Sequence, residues 1–228
     1  LDAKGILIDF GYTLAYLDKE DDLRFREGIA SILKRHGYPK TIDDVSTILD
    51  DAYGNSFRGE VKDIREFWKL ILANLGISED SELIRQLTGL RDSHLDTIFK
   101  LYDGVIPILT AWKMRYKLAL VSNCPVGFSD FLKHFDLAQF FERTILSYEV
   151  RVGKPERRIY QEALEGLGLE PSECVFVSDE ISDLEGAAEI GLRTILVRQG
   201  ERTTINAKDP NFRPDFQCDR ISEITRFL

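Results

Sequence analysis

The 228-residue chain has only three cysteines, Cys124, Cys174 and Cys218, at wide and irregular spacing. No CxxC pair occurs among them, so neither a disulfide framework nor a zinc site is indicated and reduced thiols are expected. Long apolar runs are also missing: stretches such as Leu118–Val121 and Val175–Val177 fall far short of the ~18 residues of a membrane span, and no membrane partner is expected. Positive charge is in short supply, with 30 Lys and Arg against 39 Asp and Glu for a net charge of −9. No segregated basic face is visible, so a nucleic-acid partner is not expected either. His36, His94 and His134 are scattered over helix-like segments, which leaves a histidine metal triad or a Ser-His-Asp arrangement without support. The N-terminal LDAKGILIDF has no basic segment ahead of an apolar one, so no secretory leader is read there and a cytoplasmic location is the expectation.

What is present is ordinary globular material, 43% hydrophobic and 30% charged, which excludes disorder and collagen-like repeats. At roughly 150 residues per domain the length gives about one and a half, hence one large domain or a domain with an insert. Short apolar runs at Gly5–Ile8, Lys117–Val121, Thr144–Leu146, Cys174–Val177 and Thr194–Val197, with Pro214–Gln217 as a weaker sixth, read as buried strands. Helix-period segments lie between them, as in Val105, Ile108, Leu109 and Trp112, or Ile159, Ala163, Leu164 and Leu167. This alternation predicts an α/β fold, a doubly wound, mostly parallel Rossmann-like sheet with helices on both faces.

From about Asp21 to Lys100 the pattern is helical, with no convincing strand. Phe25, Ile29, Ile32 and Leu33 mark a first helix stopped at Gly37, and Thr41 with Asp44 resembles a capping box ahead of Val45, Ile48, Leu49 and Ala52. Ile64, Phe67, Trp68, Ile71, Leu72 and Leu75 make a third helix ended by Gly76, and Leu83 through Phe99 supplies one or two more. The predicted organisation is a core of residues 1–16 and 101–228 around a helical insert at 17–100. No sustained heptad is present, so a monomer or homodimer is expected.

Four short elements stand at the ends of predicted strands or before a helix: Asp9-Phe10-Gly11-Tyr12-Thr13-Leu14, Val121-Ser122-Asn123, Gly153-Lys154-Pro155, and Val177-Ser178-Asp179-Glu180-Ile181-Ser182-Asp183. Together, and in this order, they resemble the haloacid dehalogenase superfamily of hydrolases, and the helical insert is similar to that family's α-helical cap. The resemblance implies Asp9 as a nucleophile that forms a covalent intermediate. It implies Mg²⁺ held by Asp9, Asp179 and the carbonyl of Gly11 with Asp183 close behind, since a dianionic phosphate and a carboxylate repel one another. Thr13, Ser122, Asn123 and Lys154 are the substrate-binding residues it implies, Lys154 being catalytic as well through its charge on the phosphate. The substrate is then a small phosphorylated or otherwise anionic molecule.

Gly11 departs from the pattern. Phosphatases of the family carry there a second aspartate, which protonates the leaving group and later activates water; such a group contributes about 10²–10⁴ in rate. A phosphatase with Gly11 is expected to be slow or specialised, with acyl phosphates or activated esters tolerated best. Members that remove halide from 2-haloacids also lack that aspartate and carry a Ser-Asn pair, but resemble a metal-free site without an acid matching Asp179. Dehalogenation and a non-catalytic phospho-ligand binder are the alternatives, while phosphonate cleavage has no identifiable cap lysine. Cys124 reads as a bystander thiol, Phe67 and Trp68 as cap packing, and Arg24 and Arg26 as a solvated helix face.

Overall fold

The computed structural model describes residues 2–57, 59–199 and 208–228. Eight strands run in order: β1 (Gly5–Ile8), β2 (Ala15–Leu17), β3 (Phe99–Leu101), β4 (Lys117–Ser122), β5 (Arg143–Leu146), β6 (Cys174–Ser178), β7 (Arg193–Val197) and β8 (Phe216–Cys218). The helices are α1 (Lys19–Arg35), α2 (Ile42–Ser56), α3 (Ile64–Asn74), α4 (Ser81–Ser93), α5 (Val105–Lys113), α6 (Phe128–His134), α7 (Ser147–Val150), α8 (Arg157–Leu167) and α9 (Ile181–Ala188). Six strands form one sheet in the order β5-β4-β1-β6-β7-β8, and every pairing in it is parallel.

Strand alternation divides the interior in two. Ile6, Ile8, Leu118, Leu120, Val175 and Val177 point to one face and pack with α5 and α6. Their neighbours Leu7, Ala119, Val121 and Phe176 point to the other and pack with α8 and α9. Both faces are covered, so the central strands β1, β4 and β6 are apolar at successive positions rather than at every second one. Among the described residues no helix is long and apolar enough to cross a membrane.

Helices α1 to α4 enclose an apolar cluster of their own around Phe25, Ile29, Leu49, Trp68, Leu72 and Leu87, touched from the sheet side by Val126. Their starts are written in the sequence. Asp18, Asp63 and Asp80 cap α1, α3 and α4 with their carboxylates. At α2 the capping box closes as read: Thr41 N–H donates to Asp44 Oδ2 (2.9 Å) and Asp44 N–H to Thr41 Oγ1 (3.1 Å). The segment from Leu83 to Phe99 holds one helix, within the one or two expected, and it stops at Ser93. One reading needs correction: a strand follows at Phe99–Leu101 where none was expected. That strand, β3, pairs antiparallel with β2 in a ribbon straddling the predicted boundaries at 17 and 100. Three residues are too few to show a period, and only the pairing makes them strands.

Candidate functional site

β1 lies between β4 and β6, so the chain turns to opposite sides from it, and the crevice beyond its C-terminal end is where open parallel sheets bind ligands. Asp9 leaves β1 at that point. Its N–H donates to the Val177 carbonyl (2.9 Å), while its Oδ1 accepts from Phe10 N–H (2.7 Å) and lies 2.6 Å from Lys154 Nζ. Among the described residues Asp9 Oδ2 has a long contact from Ser178 Oγ (3.4 Å) and is the freer oxygen.

Lys154 Nζ also lies 2.8 Å from Asp183 Oδ2, and its side chain is 1% exposed. Two features place it. Asn123 brackets its backbone, donating from Nδ2 to the Lys154 carbonyl (2.9 Å) and accepting Lys154 N–H at Oδ1 (2.8 Å). Gly186 on α9 lets the helix that carries Asp183 approach the Lys154-Pro155 turn, where any Cβ would overlap the Pro155 carbonyl. Asp179 is held by Thr13: Asp179 N–H donates to Thr13 Oγ1 (3.1 Å), which donates back to Asp179 Oδ1 (3.3 Å).

Two buried carboxylates, Asp9 and Asp183, therefore flank one ammonium, and a third, Asp179, is buried near enough to feel their charges, a set two negative charges in excess when ionised. Burial first, then the charge of Asp9, pushes the Asp179 carboxyl up to about 7. Burial also pushes Asp183 up to about 6, against the pull of Lys154. Burial disfavours the charge on Lys154 too, but Asp183 and Asp9 outweigh it and hold the ammonium above the usual lysine range. Two carboxylates share the one ammonium, so the lysine gains charge stability, while for Asp183 burial outweighs the pull of Lys154. Such a set fits a divalent cation, although among the described residues no three His, Cys, Asp or Glu side chains form a ready-made cage. Mg²⁺ needs none, because it takes one or two carboxylates and completes its shell with water and substrate oxygens.

A cavity of about 610 Å³ opens over these groups, with Asp9, Gly11, Ser122, Asn123, Lys154, Asp179 and Asp183 on its wall. Thr13 is not on that wall and its hydroxyl is spent on Asp179, so the structure places it as a support rather than against a ligand. Asn123 lines the cavity with its amide committed to Lys154. The far wall comes from the helical insert and includes Arg26, Asp22, Asp50, Tyr53, Arg91 and His94. None of these was assigned a role from sequence, and Arg26, read as solvated, is 13% exposed. Cys124 is buried, and burial pushes its thiol up, as suits a bystander.

A family model described as haloacid dehalogenase-like hydrolase matches residues 3–191. The chain belongs to the haloacid dehalogenase-like hydrolases. The hydrolase is 30% identical over 158 residues, 68% of either chain, to the glyceraldehyde 3-phosphate phosphatase of Methanopyrus kandleri. It is 27% identical over 171 residues, 72% of either chain, to (S)-2-haloacid dehalogenase 1 of a Pseudomonas species. Its fold matches the crystal structure of a HAD phosphatase from Thermococcus onnurineus with a TM-score of 0.71 at 22% identity, over 99% of this chain and 97% of the other.

The raised carboxyls make the hydrolase's stability depend on pH in a definite direction. Asp179 and Asp183 keep protons in the folded state that the unfolded chain releases from about pH 4 upward, so folding loses free energy as pH rises through about 4 to 7. Metal-stripped protein is expected to melt at lower temperature at about pH 8 than at about pH 5, with added Mg²⁺ raising the midpoint more at the higher pH. Equal Mg²⁺ shifts at both would count against a cation between these carboxylates.

Proposed function

We propose that the hydrolase is a Mg²⁺-dependent phosphatase of a small phosphorylated metabolite, working through an aspartyl-phosphate on Asp9. The observation that carries this reading is the acid at 179, buried beside Asp9 and Lys154 in a site with too little positive charge of its own. Asp9, Asp179 and the Gly11 carbonyl would hold Mg²⁺ with Asp183 behind them, and the ion would neutralise the repulsion between carboxylate and phosphate.

The remaining work falls to the chain itself. A carboxylate oxygen of Asp9 attacks phosphorus, the Oδ–P bond forms, and the ester P–O bond breaks with its electron pair leaving on the alcohol oxygen. Lys154 Nζ, fixed by Asn123 and Asp183, balances charge on the phosphoryl oxygens, and the Ser122 hydroxyl and nearby backbone N–H groups hold the rest. Water then attacks the same phosphorus, the Oδ–P bond breaks, and inorganic phosphate departs. The insert of residues 17–100 closes over this chemistry as a cap and chooses the substrate. Three free cysteines fit a cytoplasmic setting.

The test is acid-quenched protein incubated with a phosphoester panel and Mg²⁺. Phosphate recovered on the peptide bearing Asp9, and turnover abolished by a chelator, are expected. Turnover without such a phosphopeptide would overturn the reading. A second reading, 2-haloacid dehalogenation, is favoured by Gly11, because halide leaves without a proton; halide release from 2-haloacids would establish it.

A further inference from the structure

The cavity has a second half beyond the phosphate site, and its chemistry is unlike that of a pocket for a sugar or a carboxylate. Phe25, Tyr53, Phe67, Trp68, Phe99 and Phe128 all line it, with Tyr53 stacked on Phe67 at 5.3 Å and Phe99 edge-on to Phe128 at 6.5 Å. Cations are on this wall too, but the protein uses them. Arg26 donates from Nε to Asp22 (2.8 Å), from Nη2 to Asp50 (2.9 Å) and from Nη1 to the Ser46 carbonyl (3.4 Å). Arg91 is spent on Asp92, Asp130 and the Gly127 carbonyl. The Nδ1 of His94 is committed to the Leu90 carbonyl (2.9 Å). Among the described residues, both arginines on the wall already have their charge paired with carboxylates of the protein, and the one lysine, Lys154, belongs to the phosphate half.

A separate observation concerns the bond that breaks. Gly11 stands on the cavity wall where the family's proton donor would be, and a Cβ there would meet nothing within 4 Å. Among the described residues beyond its chain neighbours none comes within 4 Å of that position, so a leaving group that departs as a stable anion is favoured. A phenol does this, whereas an alkyl alcohol does not.

We propose that the substrates of this site are phosphate monoesters of uncharged phenols, the ring seated among Phe25, Tyr53, Phe67, Trp68, Phe99 and Phe128 and the phenolic oxygen leaving unprotonated over Gly11. The proposal rests on the phosphatase reading above. In its first step the Asp9 Oδ–P bond forms as the aryl O–P bond breaks, the phenolate carries off the electron pair, and bulk water later supplies its proton. A cavity of this size suits a ring-bearing ligand.

The test compares kcat/KM for four esters with Mg²⁺: phenyl, 4-carboxyphenyl, benzyl and ethyl phosphate, each corrected for the Asp9→Asn variant and for buffer alone. Phenyl phosphate is expected to exceed benzyl phosphate by on the order of 10²–10⁴, the contribution of a missing general acid. It is also expected to exceed 4-carboxyphenyl phosphate by about tenfold or more, although the carboxyphenol is the better leaving group, because the carboxylate finds no free cation. In Asp50→Asn, which releases one face of Arg26, the ratio of 4-carboxyphenyl to phenyl turnover is expected to rise. Asp9-dependent hydrolysis in which ethyl, benzyl or 4-carboxyphenyl phosphate equals phenyl phosphate would overturn the aryl proposal and leave the phosphatase reading standing. No ester cleaved faster than by Asp9→Asn would overturn both.

Discussion

Replacing Gly11 by Asp is expected to raise the hydrolysis of alkyl phosphates by about 10²–10⁴, the usual contribution of a positioned proton donor. The backbone accepts the change, since Gly11 is not among the residues in the left-handed region and a Cβ there meets nothing within 4 Å. The new carboxyl would stand on the cavity wall between Asp9 and Tyr12, able to protonate the departing alkoxide and then to take a proton from the attacking water. Aryl phosphates should gain much less, because phenolate leaves without help. Steady-state phosphate release from ethyl and phenyl phosphate, wild type against variant, decides it. An unchanged ethyl phosphate rate in a folded variant would show that proton delivery is not what limits the enzyme.

Lys154→Met carries the second large effect, and it is read first in stability. The methionine fills a similar volume but leaves Asp9 and Asp183 facing each other across a buried site with no cation. Breaking a buried ion pair from one side costs about 3–5 kcal/mol. Turnover should fall to the level of a site without phosphate binding. The stability loss should shrink as pH falls: with the ammonium gone the Asp183 carboxyl, already up to about 6, rises further and binds protons in the folded state. Urea midpoints at about pH 5 and about pH 8 are therefore expected to differ between variant and wild type far more at the higher pH. A deficit independent of pH would mean that the lysine contributes packing rather than charge.

The strands at the centre of the main sheet were legible because each is a short apolar run ended by a polar residue or a turn. The edge strand β8, with Gln217 exposed, gave a weaker signal and was displaced, from Pro214–Gln217 to Phe216–Cys218. Burial on both faces produces that signal, and the β2–β3 ribbon, which has no such burial, produced none. The half of the cavity around Asp9 was legible for a related reason. Asp9, Ser122 and Asp179 stand at or just past strand ends, so sequence position and place in space coincide for them. Lys154 and Asp183 come from loop and helix, and the family pattern alone located them. The other half was illegible because it is assembled from turns and faces of separate helices. Arg26, Asp50 and Arg91 lie far apart along the chain, and nothing in helix periodicity tells a charged residue facing water from one facing an enclosed space.

The position of β1 between β4 and β6 also orders events during synthesis. Its register partners begin at Lys117 and Cys174, so the strand that delivers Asp9 is made first and waits longest for its neighbours. At about 5–20 residues per second the wait for β6 lasts on the order of ten to thirty seconds. Helices α1 to α4 are contiguous in the chain and can pack among themselves meanwhile. The nascent protein thus has its α1–α4 segment complete well before both strands that flank the proposed nucleophile, Asp9, are available. A chain released before β6 emerges lacks Asp179 and Asp183, two of the proposed metal-site residues.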